Sequence, residues 1–158
     1  MKKTAKTKKT EFVPYGLGYK VKILSQLLGR SLQHQLDPYG LTPPHWLVLN
    51  CLWKEDGLPI NQLIEKLLQV GGTMTGVIDR MEERGLATRK RDEVDRRMWR
   101  IYLTDKGRQL QSEIPPLIAR MRQKTIKGID TDDMQIFMRV LDEIIDNAIA
   151  QNEELKGQ

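Results

Sequence analysis

The spacing of apolar residues changes after Gly85, and this change limits the fold more than any other feature of the sequence. Before it, apolar residues recur every three or four positions in two short segments, residues 61–68 and 73–84. This spacing predicts two helices joined by a tight turn that contains glycine. After it, residues 86–91 and 98–103 are β-prone with partial alternation, which predicts a hairpin with a long charged tip. The predicted centre of the chain is therefore a helix-turn-helix followed by a hairpin.

Longer helices are predicted on the N-terminal side of this centre. Residues 17–36 carry apolar side chains every three or four positions, and the Pro and Gly of residues 37–40 end that helix. Thr42 has the character of an N-cap, with Pro43 just inside a helix that runs to about Lys54. Because that helix is apolar nearly all round, we expect it at the buried centre of the domain.

Two more helices are predicted after the hairpin. Thr104 caps the first, and the pair Pro115-Pro116 in its middle predicts a kink or a break. Thr131 starts the last helix, whose first turn contains two aspartates that complement the helix dipole. Its apolar stripe is too broad to face solvent and predicts a partner helix. The stripe comprises Met134, Phe137, Val140, Leu141, Ile144, Ile145, Ala148 and Ile149.

Length and composition exclude several classes of protein. The 158 residues suffice for one domain, and the single cysteine, Cys51, excludes a disulfide framework and the usual cysteine-based zinc sites. With two histidines and no phosphate-binding loop or metal-ligand motif, the sequence predicts no enzyme, no cofactor and no metal. The Lys-rich start lacks the apolar core of a secretory signal, and no segment is apolar enough to span a membrane. We therefore expect a cytoplasmic protein.

Charge is distributed unevenly along the chain. The net charge of +5 comes from five lysines before Glu11, in a basic arm at residues 1–14 that we expect to be disordered. The remainder is formally neutral but polarised, with seven basic residues in 84–100 and eight acidic residues in 130–156. This pattern indicates that a polyanion binds the basic region. The alternative is chance clustering on solvated faces.

The helix predicted at residues 73–84 has two different faces. At about 100° per residue, one face is apolar and is expected to pack in the core. The other face has a small, uncharged N-terminal half, which lets the helix end approach DNA and its phosphates closely. Arg80 on this face can reach a guanine edge or a phosphate, and we expect Asp79 and Glu83 to pair with arginines. The predicted DNA contacts are Thr73, Thr75, Gly76 and Arg80. The alternative is a helix-turn-helix used only for packing.

The hairpin carries the densest positive charge. Arg89, Lys90 and Arg91 follow one strand, Arg96 and Arg97 lie at the tip, and Arg100 lies on the other strand. A narrow minor groove attracts such arginines, so we predict that Arg89, Arg91, Arg96 and Arg97 contact DNA. We expect Asp95 to hold the tip in shape through an ion pair. A solvated charged turn is the alternative, although a basic tip directly after a helix-turn-helix is typical of a wing.

These segments together resemble the MarR/SlyA family of winged helix-turn-helix transcription regulators over about residues 17–150. The resemblance rests on TPPHWLVLNCLW, INQLIEKL, GTMTGVIDRMEERGL, the DRR of the hairpin and LTDKG. It implies a mainly α fold with a two-stranded wing and a homodimer formed by intertwined first and last helices. The implied organisation is a single domain at 15–158, with dimerisation helices at 15–36 and 108–158 and a winged helix-turn-helix at 42–104. Thr73, Thr75 and Arg80 match the recognition helix, Arg97 matches the wing-tip arginine, and Asp95 matches the acid that orients it.

The resemblance also implies a function. The expected partner is double-stranded DNA with a pseudo-palindromic operator, and the expected protein is a repressor released by a small aromatic or phenolic ligand. The residues that flank the implied ligand crevice are Arg30, His34, Tyr39, His45, Trp46 and Trp53. Alternatively, the tryptophans are core and the histidines interfacial. Further alternatives are an activator like SlyA without a dedicated effector, a non-specific basic DNA-binding protein, and a protein-interaction module. Some relatives sense oxidants with a cysteine near the first helix, whereas Cys51 lies in the second.

Overall fold

The computed structural model describes residues 16–68 and 71–156, which form a mainly helical structure with one small sheet. The predicted basic arm at residues 1–14 and the predicted turn residue Val70 lie outside these ranges. The described α-helices are α1 Gly16–Leu36, α2 Pro43–Lys54, α3 Ile60–Leu67, α4 Gly71–Glu83, α5 Asp105–Thr125 and α6 Thr131–Lys156. The strands are β1 Leu58–Pro59, β2 Ala87–Arg91 and β3 Trp99–Leu103, and a 3-10 helix at Asp37–Tyr39 follows α1. The predicted helix-turn-helix and hairpin are thereby confirmed.

The sheet has three antiparallel strands in the order β1-β3-β2. In the hairpin, Ala87 pairs with Leu103 and Arg91 pairs with Trp99, as expected for two adjacent strands joined by a tip. β1 was not predicted from the sequence, because a strand of two residues that includes Pro59 cannot show alternation. Its Leu58 pairs with Ile101, so the wing is joined to the connection between α2 and α3.

The described chain forms two compact units that divide after Met121, within α5. The first unit has its own hydrophobic core, to which α1 to α5 and the sheet all contribute. α2 is central to this core on one face, where Val48, Leu49 and Leu52 are buried, whereas Leu47 on its other side is exposed. The prediction of a wholly buried α2 is therefore correct for one face only. The largest fully buried side chains are Leu36, Leu41, Val48, Leu49, Leu52, Leu58, Leu63, Met74, Ile78, Met81, Ile101 and Ile114.

The ends of α1 and α2 follow the predicted chemistry. Gly40, with a φ of +63°, closes the 3-10 turn after α1 in a conformation that favours glycine. Thr42 is the N-cap of α2, and His45 takes part in a capping box there. The backbone N–H of Thr42 donates to Nδ1 of His45 at 3.1 Å, so this nitrogen acts as an acceptor.

α4 begins earlier than predicted. The sequence indicated a break at Val70-Gly71-Gly72 and a start at Thr73, but Gly71 and Gly72 are already helical. Leu68, with a left-handed φ of 48°, is the C-cap of α3. The C-terminal end of α4 is as expected, since Gly85 follows it with a φ of +65°.

α5 continues through its two prolines. Thr104 caps it as predicted, its hydroxyl accepting from the N–H of Gly107 at 3.1 Å. Of the kink or break predicted at Pro115-Pro116, the break is wrong, because the helix extends to Thr125 without interruption, and the kink stays a prediction. Ile114, directly before the prolines, is fully buried, and tertiary packing of this kind outweighs the backbone hydrogen bonds that proline removes.

The second unit consists of the end of α5 and all of α6. α6 starts at Thr131 with Asp132 and Asp133 in its first turn, as predicted. Many of its apolar side chains are exposed in the single chain: Ile136, Phe137, Met138, Val140, Ile145, Ile149 and Leu155. Helix faces of this kind are usually covered by another protein surface.

Candidate nucleic-acid interface

α4 has the two faces that its sequence predicts. Met74, Ile78 and Met81 are at most 1% exposed and belong to the core, and Val77 lies beside them. The opposite face presents Thr73, Thr75, Asp79, Arg80 and Glu83 to solvent, with Gly76 half-buried. The Arg80 side chain folds back along this face, where its Nε donates to the carbonyl of Gly76 at 3.1 Å. The guanidinium therefore lies over the N-terminal half of the helix, beside the small residues.

The wing tip, residues 92–98, is ordered by Asp92, whose side chain is buried. Its carboxylate accepts hydrogen bonds from the backbone N–H groups of Val94 and Asp95, both at 2.8 Å, and forms an ion pair with Arg100. The hydrogen bond from Asp95, then Arg100 and Val94, lowers the pKa of Asp92 to about 2. The sequence prediction missed this residue. An aspartate directly after a strand, whose side chain can accept from the backbone two residues on, is the signal that could have identified it.

Asp95 has a smaller role than predicted. Its carboxylate accepts from the backbone N–H of Arg97 at 3.0 Å, a contact with the main chain in place of the expected side-chain ion pair. The side chains of Arg96 and Arg97 are exposed at the tip. Asp95 therefore shapes the turn that presents Arg97.

Arg91 stabilises the base of the tip. Its guanidinium lies over the ring of Trp99, 3.9 Å from the centroid, and it donates to the carbonyl of Arg96 at 2.9 Å. Such stacking holds a cation in one place while leaving part of it accessible. On the same hairpin Lys90 lies over Tyr102, at 5.1 Å. Two of the hairpin's cations are therefore held against aromatic rings of the facing strand.

Arg89 lies between the hairpin and α4. It forms ion pairs with Asp79 at 2.6 Å and Glu82 at 2.7 Å, and its side chain is only 19% exposed. The expected pairing of Asp79 with an arginine is thus confirmed. The second carboxylate is that of Glu82, not the predicted Glu83, which is exposed. The packing of α4 decides which of the two adjacent glutamates contacts β2. Helical periodicity alone could not predict this choice.

The predicted ligand-binding residues lie in different environments. Arg30 and His34 are exposed on α1, and Tyr39 and Trp46 are half-buried. His45 is 2% exposed and caps α2, and burial, followed by Arg84 and Arg80, lowers its pKa.

Trp53 is tied into the fold. Its indole N–H donates to the carbonyl of Gly107 at 2.9 Å, and its ring meets Trp46 edge-on at 5.6 Å. His45 and Trp53 therefore have structural roles in the chain as described.

A helix-turn-helix with an exposed second helix, followed by a hairpin with an arginine tip, defines a winged helix-turn-helix protein. The model of the MarR family matches residues 41–98. The HTH-type transcriptional regulator TtmR of Methylorubrum extorquens (strain PA1) is 32% identical over 142 residues, which cover 90% of this chain and 68% of that protein. The organic hydroperoxide resistance transcriptional regulator of Bacillus subtilis (strain 168) is 40% identical over 104 residues, 64% of this chain and 71% of that protein.

Solved structures agree with these relatives. The transcriptional repressor CouR, bound to a 23-mer DNA duplex, matches 82% of this chain and 92% of its own, with a TM-score of 0.76 and 28% identity. The chain belongs to the MarR family of transcription regulators. It is a DNA-binding regulator and not an enzyme. Across residues 16–68 and 71–156, no helix has the length and apolar composition needed to cross a membrane.

Proposed function

We propose that this protein is a cytoplasmic homodimeric repressor that binds a pseudo-palindromic operator and is released by a small aromatic or phenolic ligand. The observation that carries the DNA-binding part is the placement of two exposed cationic groups in one folded unit. These are the polar face of α4 with Arg80, and the wing tip with Arg96 and Arg97. The CouR structure, which is bound to a DNA duplex, supports the same role for this chain.

The chemistry of the two surfaces differs. α4 enters the major groove with Thr73 and Thr75 leading, so that the N–H groups of its first turn face a phosphate. Arg80 then lies near the base edges. Arg96 and Arg97 enter the adjacent minor groove, where the negative potential is greatest when the groove is narrow. Two such units read half-sites about 34–36 Å apart.

The first test is selection of bound fragments from the source genome, followed by affinity against salt concentration for the best fragment. We expect recovery of a pseudo-palindrome that binds far more tightly than random DNA of equal length. Uniform binding with a steep salt dependence would instead identify a non-specific basic DNA-binding protein, because that part of the affinity comes from counterion release.

Arg97→Ala tests the wing. We expect this change to weaken binding to the selected duplex by about 1–3 kcal/mol, because an arginine leaves a groove. Arg120→Ala, which removes an exposed arginine from α5, is the matched control and should leave the affinity nearly unchanged. Equal affinities for the wild type and Arg97→Ala in a fluorescence anisotropy titration would remove the wing tip from the mechanism.

The ligand proposal is supported by the exposure of Arg30 and His34 and the partial burial of Tyr39 and Trp46. An aromatic carboxylate requires apolar walls and a few polar groups, and these residue types supply both. Titration with phenolic acids should produce a saturable change in tryptophan fluorescence and release the selected duplex. If neither occurs across a panel of such acids, an activator without a dedicated effector becomes the better description.

Oxidant sensing is a weaker proposal for this chain, although one relative is named for organic hydroperoxide resistance. Cys51 is half-buried on α2, and burial raises the pKa of its thiol despite Lys66 and Lys54. A raised pKa disfavours the reactive thiolate. Release of the duplex by peroxide from the wild type, but not from Cys51→Ser, would show that the thiol is the sensor after all.

A further inference from the structure

Arg89 forms a bridge between β2 and the exposed face of α4. One guanidinium nitrogen donates to Glu82 at 2.7 Å, and another contacts Asp79 at 2.6 Å and the carbonyl of Thr75 at 3.2 Å. The backbone N–H of Arg89 donates to the second carboxylate oxygen of Glu82 at 2.7 Å. These four contacts, here called the Arg89 bridge, join one residue of the wing to about two turns of the recognition helix.

The position of the two carboxylates matters for DNA binding. Asp79 is half exposed and lies on the same face of α4 as Arg80, so an uncompensated negative charge there would repel phosphates. The Arg89 side chain is less exposed than the side chain of either acid. A nucleic acid approaching this face therefore meets two carboxylates, whose charge Arg89 offsets in part, before it meets the cation.

We propose that Arg89 is a positioning residue for DNA recognition and not a DNA contact. It masks Asp79 and Glu82 and sets the hairpin at a fixed place against α4, so that the helix and the wing meet the duplex in one register. This inference rests on the proposed DNA-binding function. It separates Arg89 from Arg96 and Arg97, whose side chains are exposed at the tip.

The geometry requires arginine. A planar guanidinium can donate to Asp79, Glu82 and the Thr75 carbonyl simultaneously, whereas a lysine ammonium acts as a single point of charge. Arg89→Lys therefore retains the charge and weakens the bridge. If Arg89 were only a phosphate contact, lysine would replace it with little loss.

The test is a cycle of four full-length chains: wild type, Arg89→Ala, Asp79→Asn/Glu82→Gln, and the triple variant. Affinity is measured by fluorescence anisotropy on the duplex selected by the wild type and on a shuffled duplex of equal length. We expect Arg89→Ala to bind the shuffled duplex with an affinity about tenfold or more below that of the wild type. In the Arg89→Ala chain, removing the two carboxylates should raise the affinity for the shuffled duplex about tenfold. In the wild-type chain the same removal should change that affinity less than about threefold.

The preference for the selected over the shuffled duplex is the second readout. It should fall in Arg89→Lys and remain low in the triple variant, because the two carboxylates are replaced by neutral amides there but the bridge is absent. Arg97→Lys is the matched control at the exposed tip and should keep the preference. Urea denaturation checks that each variant is folded. If Arg89→Ala is not folded, Arg89→Lys takes its place in the test.

Two results would overturn the proposal. If removing the carboxylates raised the affinity equally in the wild-type and the Arg89→Ala chains, Arg89 would not mask them. A larger gain in the wild-type background would show that Arg89, once released, contacts DNA itself. If the wild type does not prefer the selected duplex, sequence-specific recognition fails, but the cycle on the shuffled duplex still decides the role of Arg89.

Discussion

Asp92 shows how a single buried carboxylate can support a surface of opposite charge. It accepts two backbone hydrogen bonds within the wing tip and pairs with Arg100. Arg100 also donates to the carbonyl of Gly57 at 2.8 Å, next to β1. Arg100 therefore links Asp92, which orders the tip that presents Arg96 and Arg97, to the segment directly before β1.

This arrangement predicts a pH dependence of stability. The pKa of Asp92 is lowered from 3.8 to about 2 in the folded chain, so the unfolded chain binds its proton first as the pH falls. The contribution of Asp92 to stability is complete above about pH 4 and is lost as the pH falls through about 2. Asp92→Asn should thus be less stable than the wild type at neutral pH, with the difference shrinking between pH 4 and pH 2.

Urea denaturation at a series of pH values measures this difference. Glu93→Gln, at an exposed carboxylate in the same turn, is the matched control and should follow the wild-type pH profile. A constant difference between Asp92→Asn and the wild type across this range would show that protonation of Asp92 is not the cause.

Sequence patterns predict burial better than pairing at the scale of single residues. The apolar face of α4 follows from helical periodicity alone, and Met74, Ile78 and Met81 are indeed buried. Asp79 was correctly expected to pair with an arginine, but Glu82 and Asp92 were not identified. Glu82 pairs with Arg89 of β2 and Asp92 with Arg100 of β3, and these ion pairs depend on tertiary packing that periodicity does not encode.

Elements with a strong local signal were predicted well. α1, α2 and the hairpin each combine a clear period with capping or turn residues, and their bounds agree with the structure to within a residue or two. β1 is too short to show a periodic pattern of apolar residues. α4 starts with two glycines, which in a sequence predict a break and not a helix. The helix through Pro115-Pro116 shows packing outweighing a local rule.

The start of α5 lies close against residues 84–86, the segment that follows α4. The Thr104 hydroxyl donates to the carbonyl of Gly85 at 2.6 Å, and the Lys106 ammonium donates to the carbonyl of Arg84 at 2.9 Å. A Cβ on Gly107 would lie 2.1 Å from the carbonyl oxygen of Leu86. The start of α5 is therefore fixed against the end of the recognition helix.

Gly107→Ala tests this junction. We expect it to destabilise the protein by about 1–3 kcal/mol, because backbone must move to accommodate the methyl group. Gly29→Ala on α1 is the matched control, since a Cβ there meets nothing within 4 Å and alanine favours a helix. Urea denaturation of both variants measures the contrast, and similar effects at the two positions would contradict the close contact.

At the scale of the whole molecule, the basic region is separate along the chain from the region that is acidic and apolar. Residues 84–100 are basic, and residues 130–156 are acidic and carry the exposed apolar side chains of α6. α1 also exposes apolar side chains, among them Leu17, Val21, Leu24 and Leu27. An acidic helix does not attract DNA, whereas an apolar face favours a second protein chain. This separation supports the proposed dimer, in which two basic regions face one duplex.

Phe137→Glu tests the link between dimerisation and DNA binding. Phe137 is 47% exposed in the single chain, and burying a carboxylate at its position in a dimer would be costly. We expect analytical ultracentrifugation to show a dimer for the wild type and a monomer for the variant. Because two linked units gain affinity from binding both half-sites, the affinity for the full palindrome should fall about a hundredfold or more.

Binding to a single half-site separates this effect from damage to the winged domain, and it should be nearly equal in both proteins. Gln135→Glu, at an exposed polar position two residues earlier on α6, adds the same charge and should remain dimeric. A Phe137→Glu chain that stays dimeric and binds the palindrome normally would place the dimer interface elsewhere. Loss of half-site binding as well would mean that the end of the chain supports the fold of the DNA-binding unit and not only its pairing.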